Sequence, residues 1–117
     1  MAYTGTPIVR NGRVWLARRA TTIQVDTPAW FRWLHTVTSF SYALGAPTYY
    51  SPTLRKEKRR HDWYWYAYLK SDSKLHNAYV GRTEVVSAAR LDHIAQHLLQ
   101  KVRQQHTIAH EKKKGDD

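Results

Sequence analysis

Cysteine is absent from the 117-residue chain. That excludes disulfides, thiolate metal sites and a cysteine nucleophile, and it agrees with a reducing compartment. Long apolar runs are missing as well: no stretch approaches the roughly 20 residues needed to span a bilayer. Residues 1–11 lack the apolar core of a signal peptide. The expectation is a cytoplasmic protein with no membrane partner. No glycine-rich phosphate loop exists, since Gly81 stands alone in its region. Acidic residues are scarce and lie mostly in turns and tails, and no Ser/His/Asp order stands out. No catalytic residue is therefore assigned, and a non-enzymatic protein is expected. Seven histidines are present, yet most stand singly, and the spaced pair His93 and His97 has no carboxylate at a ligand position beside it. Neither a metal nor a cofactor is expected.

Basic and aromatic residues fill the composition instead. Lys and Arg number 19 against nine Asp and Glu, giving net +10 and a pI near 10.1. Aromatics make up 13%, as five Trp and eight Tyr with only two Phe. Rings with polar tips on a basic body suggest a surface that meets phosphates and flat or polar partners. At this length one domain is expected, with a thin core in which tryptophan carries much of the burial.

The chain reads as a flexible lead-in over 1–12, a single α+β domain over 13–106 and a charged tail over 107–117 that frays. RVWLARRATTIQV (13–25) is rich in β-branched and aromatic residues and predicts one or two short strands, with Val14, Leu16, Ile23 and Val25 inward. Asp26 or Thr27 can cap the helix that follows. Pro28 suits its first turn, and Trp30, Trp33, Leu34 and Val37 line one face. SYALGAPTYYSP (41–52) reads as a connecting loop. In WYWYAYLK (63–70), Trp63, Trp65, Ala67 and Leu69 alternate with Tyr64, Tyr66, Tyr68 and Lys70, the period of a strand with one buried face. The tryptophans are expected inward, because tyrosine keeps a polar tip. His61-Asp62 and Ser71-Asp72-Ser73 are hairpin-sized separators. Ser87 caps a second helix with an apolar stripe at Leu91, Ile94, Ala95, Leu98 and Val102. The predicted architecture is α+β: a three-stranded antiparallel β-meander with two helices packed on one face, preceded by a short strand or hairpin (β-α-β-β-β-α).

Charge concentrates in the meander, where residues 53–83 hold eight basic and three acidic residues. The cluster Arg55, Lys56, Lys58, Arg59 and Arg60 places Arg55 and Arg59 on one side of a strand and Lys56 and Lys58 on the other. Charge on both sides fits an edge strand protected from aggregation, or a rim that neutralises phosphates. Beside it stands the ladder of Tyr64, Tyr66, Tyr68 and Lys70, either cross-strand packing or a surface for sugar and bases. Lys74, His76, Asn77 and Arg82 can add contacts from the third strand and its turn, although the sequence leaves open which of His76 and Asn77 faces out.

Three segments together, DTPAWFRWLHTVTSFSY, LRKEKRRHDWYWYAYLK and KLHNAYVGRTEVVSAARLDHIAQHL, resemble the N-terminal module of bacterial LuxR/MalT-type transcriptional regulators. The distinctive stretches are Ala29–Leu34, Arg55–Tyr68, Tyr79–Thr83 and Ala89–Leu91, with His61-Asp62 standing where that module has Gly-Gly. The strand portion is similar to the arm-type DNA-binding domain of integrases, in which a three-stranded sheet enters the major groove. The resemblance implies DNA binding through the sheet face by Arg55, Lys56, Lys58, Arg59, Tyr64, Tyr66 and Tyr68. The expected function is a small DNA-binding protein, a transcriptional regulator or mobile-element accessory factor whose partner is double-stranded DNA. Two other readings stand beside it: a double-stranded RNA-binding domain, and a protein-interaction module using the tyrosine face.

Overall fold

The structure, a computed structural model, describes residues 5–45 and 50–115, with side chains through residue 106. Seven strands build one sheet: β1 (Ile8–Arg10), β2 (Arg13–Leu16), β3 (Arg19–Gln24), β4 (Ser39–Tyr42), β5 (Thr53–Arg59), β6 (Asp62–Ser71) and β7 (Lys74–Gly81). Their spatial order is β3-β2-β1-β4-β5-β6-β7. Neighbours are antiparallel except β1 and β4, which run parallel. Helix α1 (Pro28–Thr36) joins β3 to β4, and a single 3₁₀ turn (Thr83–Val85) leads into α2 (Ala88–Gly115).

The α+β class stands, but the three-stranded meander is corrected: β5, β6 and β7 form one half of a seven-stranded sheet. The missed strands are short. β1 and β4 have three and four residues with one buried position each, too few for a period-two pattern to register. The first strand lies inside the expected lead-in, and Ser41 and Tyr42 lie inside the expected loop. Part of that loop, residues 46–49, lies outside the described residues. Residues 107–115, expected to fray, continue α2.

Local chemistry explains the joints. Asn11 and Gly12 both adopt left-handed φ, 53° and 74°, the demand of a two-residue hairpin turn that Asn-Gly meets best. Thr27 caps α1, its Oγ1 accepting from Trp30 N at 3.3 Å. Asp26 serves the other helix instead. Its φ of 71° turns its carboxylate outward to accept from Ala88 N at 2.9 Å. Ser87 Oγ accepts from Arg90 N at 3.1 Å, so α2 starts with both a hydroxyl and an anion on its free N–H groups.

Both helices cover the same side of the sheet. Val9, Val14, Phe40, Leu54, Trp65, Ala67, Leu69 and Val80 meet Trp30 and Leu34 of α1 and Leu91, Ile94, Leu98, Leu99 and Val102 of α2. Aromatic rings link the layers: Trp30 meets Phe40 edge-on at 5.6 Å, and Phe40 lies 5.3 Å from Trp65. Both fully buried tryptophans have an acceptor for the indole N–H, Trp30 on Val86 O at 2.7 Å and Trp65 on Thr83 Oγ1 at 3.1 Å, whereas the buried Trp15 Nε1 has none among the described residues. Two expected core residues stay outside. Leu16 ends β2 at a turn and is 38% exposed, and Trp63, near the β5–β6 tip beyond α1, is 51% exposed.

The two tryptophans of β6 should therefore differ sharply on truncation. Trp65→Ala is expected to cost about 3–5 kcal/mol, as buried aromatic deletions do. Trp63→Ala should cost less than about 1 kcal/mol. Urea midpoints of both variants check this, and equal losses would contradict the assigned burial.

Candidate nucleic-acid interface

Register decides which side chains share the face that no described element covers. Thr53, Arg55 and Glu57 of β5 pair with Tyr68, Tyr66 and Tyr64 of β6. Tyr66, Tyr68 and Lys70 pair in turn with Tyr79, Asn77 and Leu75 of β7. None of these side chains points to the helices. A bulge at Trp65/Tyr66 ends the β6–β7 ladder. There Gly81 takes φ 135°, and an added Cβ would come within 2.5 Å of Val85 Cγ2, so only glycine fits.

Arginines lie on the tyrosine rings of this face. The Arg55 guanidinium sits 5.8 Å from the Tyr68 ring centre, Arg59 sits 5.2 Å from Tyr66, and Arg82 sits 5.5 Å from Tyr64. Tyr79 packs edge-on against Tyr66 at 5.5 Å and tilts toward Tyr64 at 6.1 Å. A stacked guanidinium keeps its in-plane N–H fork for carboxylate or phosphate. Two of the three have acidic partners: Arg59 bonds Glu57 at 2.6 Å and Arg82 bonds Asp62 at 2.7 Å, with Glu57 the least exposed of the four. Hydrogen bonding with Tyr66 and then the Glu57 charge raise the Arg59 pKa further, and Tyr64 and Asp62 do the same for Arg82. Glu57 also accepts from the Tyr68 hydroxyl. That bond, followed by burial, raises the Tyr68 pKa above its ordinary value.

The expected site residues divide between two sides. Arg55, Arg59, Tyr64, Tyr66, Tyr68, Lys70 and Asn77 share the open face, and Arg82 reaches it from the end of β7. Lys56 and Lys58 pair with Trp65 and Trp63 on the helix side. Lys74 pairs with the inward Ser71, and His76 is buried, its Nε2 2.8 Å from Gln105 Oε1. Arg60 occupies the β5–β6 turn with φ 59°. The edge-strand reading of β5 is corrected too, since it lies between β4 and β6. Its two-sided charge has another origin. The β4 ladder stops at Arg55, with one further bond from Lys56 N to Thr38 O, and the β7 ladder stops at Trp65. Glu57–Tyr64 is consequently a two-stranded ribbon projecting past the sheet.

Sequence reasoning missed Tyr79, 50% exposed among the tyrosines, and a second cluster across the sheet. Arg10, Arg13 and Trp15 share the open face by register through Ile8, Ser41 and Thr53, with Arg10 lying 5.1 Å from the Trp15 ring centre. The Asn11-Gly12 turn was the signal that could have placed them.

Among the described residues no group of three His, Cys, Asp or Glu could hold a metal ion, and no helix is long and apolar enough to cross a membrane. No family model matches this chain, and comparison with curated proteins and with solved structures likewise gave no match.

Glu57 is the anion that organises this basic face. Because the folded Tyr68 pKa is raised, its stabilising effect is fully present below about pH 10, the unfolded value, and fades as pH rises through the folded value. Glu57→Gln should lower the Tyr68 transition toward the ordinary range. Ultraviolet phenolate titration, with Tyr68→Phe as the difference control, checks this, and an unshifted transition would contradict it.

Proposed function

We propose that the chain is a small DNA-binding protein whose β5–β6 ribbon enters the major groove while the adjoining Arg–Tyr face lies along the backbone. The observation that carries this reading is the set of three guanidiniums laid on tyrosine rings on an uncovered sheet face. Width refines it. Seven strands at 4.7–4.9 Å spacing span about 29 Å, far more than a major groove about 12 Å wide, which admits a helix or a two-stranded ribbon. Only the ribbon Glu57–Tyr64 meets that limit. Its charges point to both sides, Lys58 one way and Arg59 the other with Arg60 at the tip, as a strand flanked by two phosphate walls requires. Tyr64, Tyr66, Tyr68, Lys70, Asn77 and Tyr79 then offer hydroxyl, ammonium and amide groups to sugar, phosphate or base edges.

Duplex RNA fits this shape less well, because its major groove is deep and too narrow for side chains to read. A protein partner on the tyrosine face would bind with little salt dependence, whereas phosphate neutralisation is steeply salt-dependent. The resemblance to the regulator module and the integrase arm-type domain supports a role in transcription regulation or as an accessory factor of a mobile element, in the cytoplasm.

Arg55→Ala combined with Arg59→Ala should weaken duplex DNA binding and make the slope of log affinity against log salt shallower by about two. The melting temperature should hardly move, since both side chains are exposed. Fluorescence anisotropy at several salt concentrations reads the slope, and unchanged affinity would remove these arginines from the interface.

A further inference from the structure

Behind the ribbon, on the helix side, lies a cleft of about 430 Å³ that meets the Arg–Tyr face at the Arg82–Asp62 ion pair. Its walls are the end of α1 (Thr36) and the connection after it (Thr38), Lys56 and Trp63 of the ribbon base, and the segment after β7 (Thr83 and Glu84). The size is that of a small-ligand site. Three of its groups make no side-chain hydrogen bond or ion pair among the described residues. The Trp63 indole is half exposed, whereas Trp30 and Trp65 are fully buried. The Lys56 ammonium, 5.4 Å from the Trp65 ring centre, has no carboxylate at ion-pair distance among the described residues, and partial burial lowers its pKa. Glu84 makes no direct ion pair among the described residues, its charge acting on Arg82 from beyond the Asp62 contact.

Each group selects a different part of one ligand. An indole face takes a flat heteroaromatic ring. An ammonium short of counter-charge takes a phosphate. A free carboxylate accepts from an exocyclic amino group, as acidic side chains do with cytosine. Lys56 faces Trp65, two residues along from Trp63, so Lys56 and Trp63 are diagonal neighbours about 7–8 Å apart. The geometry points to a mononucleotide site: base on Trp63, phosphate on Lys56, base amino group on Glu84. The ligand is a free nucleotide or an unpaired nucleotide at a strand end, which present the same groups.

Titration of the whole protein with AMP, UMP and inorganic phosphate, followed by ¹H–¹⁵N spectra, tests this. AMP should shift the Trp63 indole resonance and the amides of Thr36, Thr38 and Thr83 saturably. Lys56→Gln should weaken AMP at least fivefold, Trp63→Ala should abolish the shifts, and UMP, lacking the amino group, should bind more weakly. Retained spectral dispersion shows that both variants fold. A duplex with a one-nucleotide overhang that competes with AMP, where a blunt duplex does not, identifies the strand end as the source, and no competition identifies the free nucleotide. Absent shifts, shifts confined to the Arg–Tyr face, or AMP affinity unchanged in both variants would overturn the site. The double variant lacking Arg55 and Arg59 should bind AMP normally, so the Arg–Tyr contacts to DNA and the cleft are read by different substitutions although the ribbon contributes to both.

Discussion

The fold depends on the burial of Trp65 between sheet and helices. Its ring meets Phe40, its N–H is satisfied by Thr83, and through Phe40 it touches Trp30, whose own N–H is held by the backbone of Val86. This column fixes the side on which the helices lie. Strand alternation then turns Tyr64, Tyr66 and Tyr68 to the opposite side, where no described element covers them. The open face is thus a consequence of core packing. A small domain with a thin core can spare one face of its sheet only because large indoles, with their polar atoms satisfied, supply the burial on the other.

Tyrosine suits the open face better than phenylalanine for the same reason it was excluded from the core. Its ring gives a guanidinium a surface to lie on, and its hydroxyl gives Glu57 a donor. Arginines restrained in this way lose less freedom when they meet an anion. Some of the charge elsewhere is spent on structure. Arg90 donates to the carbonyls of Val80 and Tyr79, and Lys101 donates to that of Asn77. These α2 side chains occupy acceptors along the outer edge of β7 and hinder another strand from adding there. The charge of the ribbon and its flanks, like that of Arg10 and Arg13, is not used in this way.

Much of this was legible in the sequence. The alternation of 63–70 placed the tyrosines opposite Trp65, and Thr27-Pro28 with Ser87 marked both helix starts. The parity of Arg55 and Arg59 against Lys56 and Lys58 survived into the structure. Other features were not legible, for identifiable reasons. β1 and β4 are too short to show a period, and their pairing is long-range, set by the shared burial of Val9 and Phe40. Periodicity put Trp63 with Trp65 correctly by side, but burial depends on where α1 ends, which no local pattern encodes. His76 and Asn77 could be told apart only once β7 was in register, with a bulge at Gly81 shifting the count. Asp26 looked like a local cap and instead serves a helix whose first residue lies 62 positions on.

Chemical-shift mapping of the protein with a short DNA duplex tests the central claim most directly. Perturbations are expected at Arg55, Arg59, Arg60, Tyr64, Tyr66, Tyr68, Lys70, Asn77 and Tyr79, strongest on the ribbon, with little change along α2. Perturbations centred on Lys101 and Arg103 of α2, with the tyrosine face silent, would contradict it.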